Sequence, residues 1–483
     1  MSGVRVRRRT KIVITLGPAT DDPRVLAELI RSGADVVRVN FSHGRFEDHA
    51  RRVALVREAA LSVGRYVGIL GDLAGPKIRI ERFAAGPVQL VEGEEFTLDV
   101  SLDPGAGTAA AVGCAYRELP RDVREGDILL LNDGLIVLQV QRVTGPRVLT
   151  RVVTGGELSN NKGLNRRGGG LSAGALTDKD REDIRVAARL EVDYLGVSFP
   201  KSGDDMLEAR ELLRQAGGNG RTCAKIERAE AISNLDDIIE ASDAVMVARG
   251  DLGVEMGYAE LTGLQKRIIR AARQQFRVVI TATQMMESMI QNPVPTRAEV
   301  SDVANAVLDG TDAVMLSAES AVGKYPVKAV EAMAAVIQGA EKYQFEQGGG
   351  RARQRTEGEF HGTDEAIAMA VMYTANHLDV KAIVALTESG STPLWMSRIR
   401  SDIPIYAFTR HEATRRRVTL YRGVYPVSFD VTHTDPVILY ASIFELLIEL
   451  GLCAAGDLII TTKGELSGVS GGTNSMKILE VRP

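Results

Sequence analysis

The sequence predicts an α/β protein in three parts: a closed (β/α)8 barrel, a small all-β domain inserted into it, and a C-terminal α/β domain. Three observations lead there. Eight short runs rich in Val and Ile alternate with helical stretches over most of the first two-thirds of the chain. Such strands read as parallel and buried on both faces. Between Leu73 and about Gly170 that rhythm gives way to β-rich runs and turn signals. A Gly- and Arg-rich break at 347–355 then precedes a second, shorter alternation of strands and helices. With 483 residues, 45% of them hydrophobic, the chain is too long for one ordinary core, so two or three domains are expected.

The eight runs are 11–15, 36–39, 66–70, 194–197, 222–226, 244–247, 278–280 and 313–316, with helical stretches such as 21–32 and 46–62 between the first of them. Eight parallel strands with eight helices can close into a TIM barrel. The insert offers strands at 87–91, 95–98, 128–131, 136–140 and 148–153, and Asn132-Asp133-Gly134 is a strong hairpin turn. Placed after the third strand, it would hang like a lid over the face where barrels carry their chemistry. The C-terminal part has strands at 383–386, 405–408, 424–427 and 458–461 and helices at 363–376 and 436–450, an α/β layered pattern. The expected boundaries are 1–72 and 170–346 for the barrel, 73–169 for the insert and 347–483 for the last domain.

Composition narrows the function. With 59 basic and 63 acidic residues the net charge is −4, which gives no global pull toward nucleic acid or membrane. The basic lead-in at 4–9 lacks the apolar stretch of a signal peptide, and no long apolar span follows. A cytoplasmic protein with no membrane or nucleic-acid partner is expected. Cys114, Cys223 and Cys453 are too few and too scattered for a disulfide framework or a zinc site. Gly168-Gly169-Gly170 lacks a dinucleotide-binding fingerprint, and no P-loop occurs.

The distinctive residues sit at the ends of the expected barrel strands, where chemistry belongs. After the second strand, Arg38, Asn40 and Ser42 share one face, a phosphate clamp with two neutral oxygen ligands, or else a polar strand cap. After the third come Asp72, Lys77 and Arg79 around a rigid Gly-Pro turn; a salt-bridged hinge reads the same way. After the fifth, Lys225 and Glu227 share a face. That pairing suits phosphoryl transfer with a metal, in which the ammonium neutralises the transferring oxygens. A buried structural ion pair is the alternative, and the placement favours function. After the sixth, Arg249-Gly250-Asp251 forms a rim rather than an adhesion tripeptide. Asp251 can join Glu227 on a divalent cation, and hard oxygen ligands favour Mg²⁺. Gly250 and Gly253 would let backbone approach an anion at the start of the next helix. After the seventh, Thr283 offers a hydroxyl, while Met285, Met286 and Met289 suit helix packing. Thr296 and Glu299 form a capping box, leaving Arg297 to reach a neighbouring site or subunit. After the eighth, Ser317 and Glu319 could orient water or relay a proton. In the last domain, Thr387, Ser389, Gly390, Ser391 and Thr392 follow a strand and precede a helix. They read as a phosphate nest or an ordinary helix cap.

Several long stretches, in this order, carry a resemblance. They are Thr10-Lys-Ile-Val-Ile-Thr-Leu-Gly-Pro-Ala-Thr20, Asn40-Phe-Ser-His-Gly44, Ala224-Lys-Ile-Glu227, Met246-Val-Ala-Arg-Gly-Asp-Leu-Gly-Val-Glu255, Ala282-Thr-Gln-Met-Met-Glu-Ser-Met289 and Met315-Leu-Ser-Ala-Glu319. Together they resemble the pyruvate kinase family, its bacterial branch most, over residues 10 to about 479. The resemblance implies transfer of a phosphoryl group from phosphoenolpyruvate to ADP, giving pyruvate and ATP, with Mg²⁺ as cofactor and Mn²⁺ as a substitute. It implies that Lys225 neutralises the phosphoryl group, that Glu227 and Asp251 hold Mg²⁺, and that Arg38 and Arg79 grip phosphate. It places the substrate carboxylate on the backbone of Arg249, Gly250 and Asp251, and Thr283 beside the enolate carbon. Ser317 and Glu319 would belong to the protonating water network, and His43 and Lys162 would face nucleotide phosphates. Asn40, Ser42, Asp72 and the Leu73 carbonyl would match the family's monovalent-cation site.

One departure matters. Members that require K⁺ resemble Gly-Pro-Glu-Ile-Arg where this chain has Gly75-Pro-Lys77-Ile-Arg79, and many carry threonine where it has Leu73. An ammonium there could stand in for the cation, so K⁺ dependence is expected to be weak or absent. The resemblance further implies a homotetramer and a regulatory C-terminal domain that takes a sugar phosphate or nucleotide monophosphate. Two other readings compete: a Mg²⁺-dependent phosphoenolpyruvate enzyme using water as acceptor, and a silent binding protein. The insert and Lys162 argue against the first. The presence of Lys225, Glu227 and Asp251 argues against the second.

Overall fold

Eight parallel strands close the barrel in the computed structural model: β1 (Lys11–Thr15), β2 (Val36–Asn40), β3 (Gly68–Asp72), β4 (Tyr194–Val197), β5 (Arg221–Ile226), β6 (Ala244–Ala248), β7 (Val278–Ala282) and β8 (Ala313–Leu316). Their spatial order is β1-β8-β7-β6-β5-β4-β3-β2. The structure describes residues 8–349, 360, 362–430, 435–464 and 472–482. Residues 4–7 of the basic lead-in and 350–355 of the expected connection lie outside these.

Every residue of β1, β3, β6 and β7 is buried, which is why these strands read as near-continuous apolar runs. Parallel register pairs Lys11 with Ala313, Val13 with Val36, and Lys225 with Met246. β3 begins and ends two residues later than 66–70, and Gly71 belongs to it rather than to the following turn. A Cβ on Gly71 would lie 2.8 Å from the Phe41 ring, and one on Gly68 2.9 Å from the Thr419 hydroxyl. Both mark close approach of a neighbour rather than the end of a strand.

The insert is rich in antiparallel pairs, as expected. A six-stranded sheet runs in the order Leu164–Arg166, Ile128–Leu131, Ile136–Thr144, Arg147–Thr154, Glu95–Asp99 and Ala111–Gly113, beside a ribbon of Val88–Leu90 with Gly156–Leu158. Phe96, Leu98, Leu129, Leu131 and Leu138 lie in its own core. Leu131 pairs with Ile136 across a turn in which Asn132, Asp133 and Gly134 have φ of 51°, 55° and 87°. The entering and leaving chains pair with one another. Ile80 N–H donates to the Lys162 carbonyl (3.0 Å) and Leu164 N–H to the Ile78 carbonyl (2.9 Å).

The C-terminal sheet runs Val424–Ser428, Ile405–Thr409, Ala382–Leu386, Leu458–Gly464 and Thr473–Glu480. The first four strands are parallel, and the fifth is an antiparallel edge that the sequence pattern did not reveal. Among the described residues, no helix is long and apolar enough to cross a membrane.

The chain divides into two compact units, one of residues 1–71, 190–194 and 272–483, the other of residues 72–189 and 195–271. In the first unit, buried charges join the C-terminal domain to the starts of barrel strands. Arg398 forks Asp312, just before β8, with Nη1–Oδ2 at 2.8 Å and Nη2–Oδ1 at 2.5 Å, and both side chains are only 3% exposed. Lys11, the first residue of β1, donates to the Val424 carbonyl at 2.7 Å and lies 4.4 Å above the Tyr425 ring.

Removing one partner of a buried pair strands the other charge. Arg398→Met is therefore expected to destabilise the chain by about 3–5 kcal/mol, read from the denaturant midpoint. Burial holds the Lys11 ammonium down to about 8, although Asp35 opposes this. The unfolded chain then keeps that proton to higher pH than the folded one, so stability rises as pH climbs from about 8 toward the ordinary lysine value. Thermal scans should show the parent gaining on Lys11→Met over that range, and not between pH 6 and 7.

Candidate active site

The end of β5 places Lys225 and Glu227 two residues apart, and the ends of β3 and β4 meet them. The Lys225 ammonium lies 3.0 Å from Glu227 Oε1 and 3.2 Å from Asp72 Oδ1, and donates to the Ser198 hydroxyl at 2.6 Å. Ser198 passes the connection on to the Leu73 carbonyl at 2.8 Å. Phe199 N–H donates to Glu227 Oε2 at 3.1 Å. Lys225, Glu227 and Asp72 are all buried. Burial pushes Glu227 up to about 7; Lys225 pulls the other way, while Asp251 and Asp72 push further.

Asp251 occupies the first turn of the helix Arg249–Met256, which starts directly after β6. The Lys77 ammonium stands 3.5 Å from its Oδ1. Arg249 turns inward, and its guanidinium donates to Gln265 at 3.3 Å. A Cβ on Gly253 would meet the Tyr258 ring at 3.1 Å and Leu261 at 3.3 Å, so this glycine makes room for a neighbouring helix.

These residues suit a divalent cation. The Asp251 charge adds to the cost of ionising Glu227, and a dication would relieve it. Among the described residues, no group of three or more His, Cys, Asp or Glu is placed to hold a metal alone. Two carboxylates are the usual protein share for Mg²⁺, which keeps waters and takes substrate oxygens.

The first compact unit holds the rest of the barrel set. Arg38 on β2 donates to the Thr15 hydroxyl at 3.2 Å. Asn40 ends β2, and its Oδ1 accepts the Ser42 N–H at 3.1 Å; Ser42 and His43 are exposed. Thr283 has φ of 67°, strained for a β-branched residue, with its hydroxyl on the Ala282 carbonyl at 2.6 Å. Glu319 is buried and held above the ordinary carboxylate range by that burial. Its oxygens accept Met286 N–H (3.1 Å) and Ser317 N–H (2.7 Å), so it ties the turns after β7 and β8 together. Met285, Met286 and Met289 are fully buried, and the capping box of Thr296 and Glu299 is formed.

Where the insert's two chains pair, Arg79 is exposed and donates to the Asn161 carbonyl at 2.8 Å, next to Lys162. In the C-terminal domain, Gly390 has φ of 87° and its N–H binds the Thr387 hydroxyl at 3.0 Å. Ser389 and Ser391 hydroxyls are 3.3 Å apart, and Thr392 bonds Thr473 at 2.6 Å. The helix that follows has seven residues.

Sequence reasoning missed Ser198, Phe199, Arg228 and Glu255. Ser198 and Phe199 directly follow β4, so the strand-end rule that found Lys225 would have found them. Phe199 has φ of 55°, which turns its N–H toward Glu227.

Comparison with known proteins agrees with this architecture. Residues 7–330 match the family description "Pyruvate kinase, barrel domain", and residues 365–479 match "Pyruvate kinase, alpha/beta domain". The chain is 56% identical to "Pyruvate kinase II" of Salmonella typhimurium over 98% of its own length and 99% of that protein's. It is 54% identical to the pyruvate kinase of Haemophilus influenzae over 95% and 96% of the two lengths. With that of Geobacillus stearothermophilus it shares 42% identity over 98% of this chain and 80% of the relative. The chain belongs to the pyruvate kinase family.

Proposed function

We propose that this chain transfers the phosphoryl group of phosphoenolpyruvate to ADP, giving pyruvate and ATP, with Mg²⁺ as the divalent cation. The observation that carries this reading is the Lys225 ammonium, buried at the end of a barrel strand between Asp72, Glu227 and Ser198. Phosphoryl transfer asks mainly for positioning and charge neutralisation, and a fixed, water-poor cation supplies both. Glu227 and Asp251 would hold the metal, whose contribution when bound is to neutralise phosphate oxygens.

Arg38 would grip the phosphate, and Arg79, His43 and Lys162 would face the nucleotide phosphates. The N–H groups of Arg249, Gly250 and Asp251 would take the substrate carboxylate, since they open a helix. Thr283 would stand beside the enolate carbon. Ser317 would order the water that protonates it, with Glu319 holding Ser317 in place through its N–H. The insert would exclude water, the competing acceptor.

Asn40, Ser42, Asp72 and the Leu73 carbonyl would form the monovalent-cation site in K⁺-requiring relatives. Two features support weak or absent K⁺ dependence here: the Lys77 ammonium beside Asp251, and Leu73 without a hydroxyl. A sugar phosphate or nucleotide monophosphate at 387–392, a homotetramer and a cytoplasmic location complete the proposal.

Pyruvate release should require both Mg²⁺ and ADP. Release without ADP, after phosphatase controls, would favour water as acceptor. Adding K⁺ to a tetramethylammonium buffer should raise the saturated rate less than about tenfold, or about 1.4 kcal/mol, and Lys77→Glu should make the enzyme respond to K⁺. Lys225→Met should lower kcat by at least about 10²–10³-fold while circular dichroism stays native.

A further inference from the structure

The reaction leaves unexplained the segment that brings the chain back from the insert, Gly168-Gly169-Gly170. Its φ angles are 80°, 76° and 95°, conformations that suit glycine and resist other residues. Such a run should be loose, yet two acidic residues pin it. The Gly168 N–H donates to the Glu255 main-chain oxygen at 3.0 Å. The Glu255 carboxylate accepts the Asn165 side-chain amide at 3.2 Å and the Ala229 N–H at 2.9 Å. Glu230 accepts the Gly170 N–H at 2.6 Å and binds Arg228 Nε at 2.9 Å. Arg228 also donates to the Leu171 carbonyl at 2.8 Å.

The origin of these pinning groups is informative. Glu255 lies one helical turn beyond Asp251, on the same helix. Arg228, Ala229 and Glu230 directly follow Glu227. The two segments that carry the candidate metal carboxylates are therefore the two that hold the hinge. Glu255 touches both, because its carboxylate caps the helix after Glu227 while its own helix carries Asp251. A pocket of about 30 Å³, room for a water, lies where the hinge strand meets Asp251, lined by Lys77, Asn165, Arg228, Asp251 and Glu255 among others. Burial holds the Glu255 carboxyl up to about 7, against the pull of the Ala229 N–H and the Asn165 amide, which favour the ionised form.

We infer that Glu255 is a positioning residue that couples the posture of the insert's exit hinge to the spacing of Glu227 and Asp251. The inference rests on the proposed reading of those two carboxylates as metal ligands. Coupling of this kind is reciprocal. If a metal held by Glu227 and Asp251 tightens the hinge, a change confined to the hinge side would weaken the metal by the same factor.

The test uses the full chain with Mn²⁺ as the probe, without substrate. Binding is counted by electron paramagnetic resonance, and amide exchange is followed by mass spectrometry over 164–172. In the parent, Mn²⁺ should slow exchange in that peptide. Asn165→Ala, which lies on the hinge strand, and Glu255→Gln should each weaken Mn²⁺ about tenfold, an ordinary coupling, and abolish the protection. Two results overturn the inference: Asn165→Ala binding Mn²⁺ as tightly as the parent, or parent exchange at 164–172 indifferent to bound Mn²⁺. Faster exchange across the whole chain of both variants would also overturn it, because the role would then be structural only. Should Glu255→Gln fail to fold, Asn165→Ala decides alone. A parent that binds no Mn²⁺ sinks the metal reading itself, an outcome distinct from the others.

Discussion

The Lys225 ammonium lies 3.2 Å from Asp72, 3.0 Å from Glu227 and 2.6 Å from Ser198, and none of the four groups is in open water. Removing such charges from solvent costs several kcal/mol per ion unless the geometry is well held. The barrel holds it by bringing one member from the end of each of three neighbouring strands: Asp72 from β3, Ser198 from just beyond β4, and Lys225 with Glu227 from β5. Much around the cluster follows from it. Phe199 adopts an unusual φ so that its N–H can reach Glu227, and Leu73 accepts the Ser198 hydroxyl that Lys225 orients.

The two ends of the barrel strands treat charge differently. Before β8, Asp312 meets Arg398 in a two-pronged fork and also accepts the Val279 N–H at 2.9 Å. There, opposite charges are matched and hydrogen-bonded. At the other end, carboxylates outnumber the cation they share, and Glu227 is pushed up to about 7. A matched pair holds domains together, whereas an unmatched cluster with a shifted carboxyl marks a candidate functional site.

The strand ends were the legible part of the sequence. Val/Ile runs 3–5 residues long indicated the barrel, and the residues at or just beyond their ends included Arg38, Lys225, Glu227, Asp251 and Thr283. What stayed hidden has a physical reason in each case. Strands such as Ala111–Gly113 and Gly156–Leu158 are three residues long, too short to show a period. The edge Thr473–Glu480 mixes polar and apolar residues because one side faces solvent. Two glycines were not read for what they do: Gly71 sits inside β3, past the expected end at residue 70, and Gly253 makes room for Tyr258 and Leu261. No role was read for Glu255, since its partners Asn165 and Ala229 are remote in sequence.

The pairing of the insert's entering and leaving chains also bears on how the chain folds. β3 and β4 are neighbours in the barrel, with Leu73 N–H on the Gly196 carbonyl at 3.0 Å, yet the whole insert lies between them in sequence. Joining them directly would close a very long loop in an unfolded chain, which is slow even though each doubling of length adds only about 0.6 kcal/mol. The insert has its own core, and its hairpins are local. Once it has folded, the contacts between Ile78, Ile80, Lys162 and Leu164 bring its two ends side by side. The long loop would then become two shorter ones, and an insert that folds first would serve as the splint on which the barrel closes.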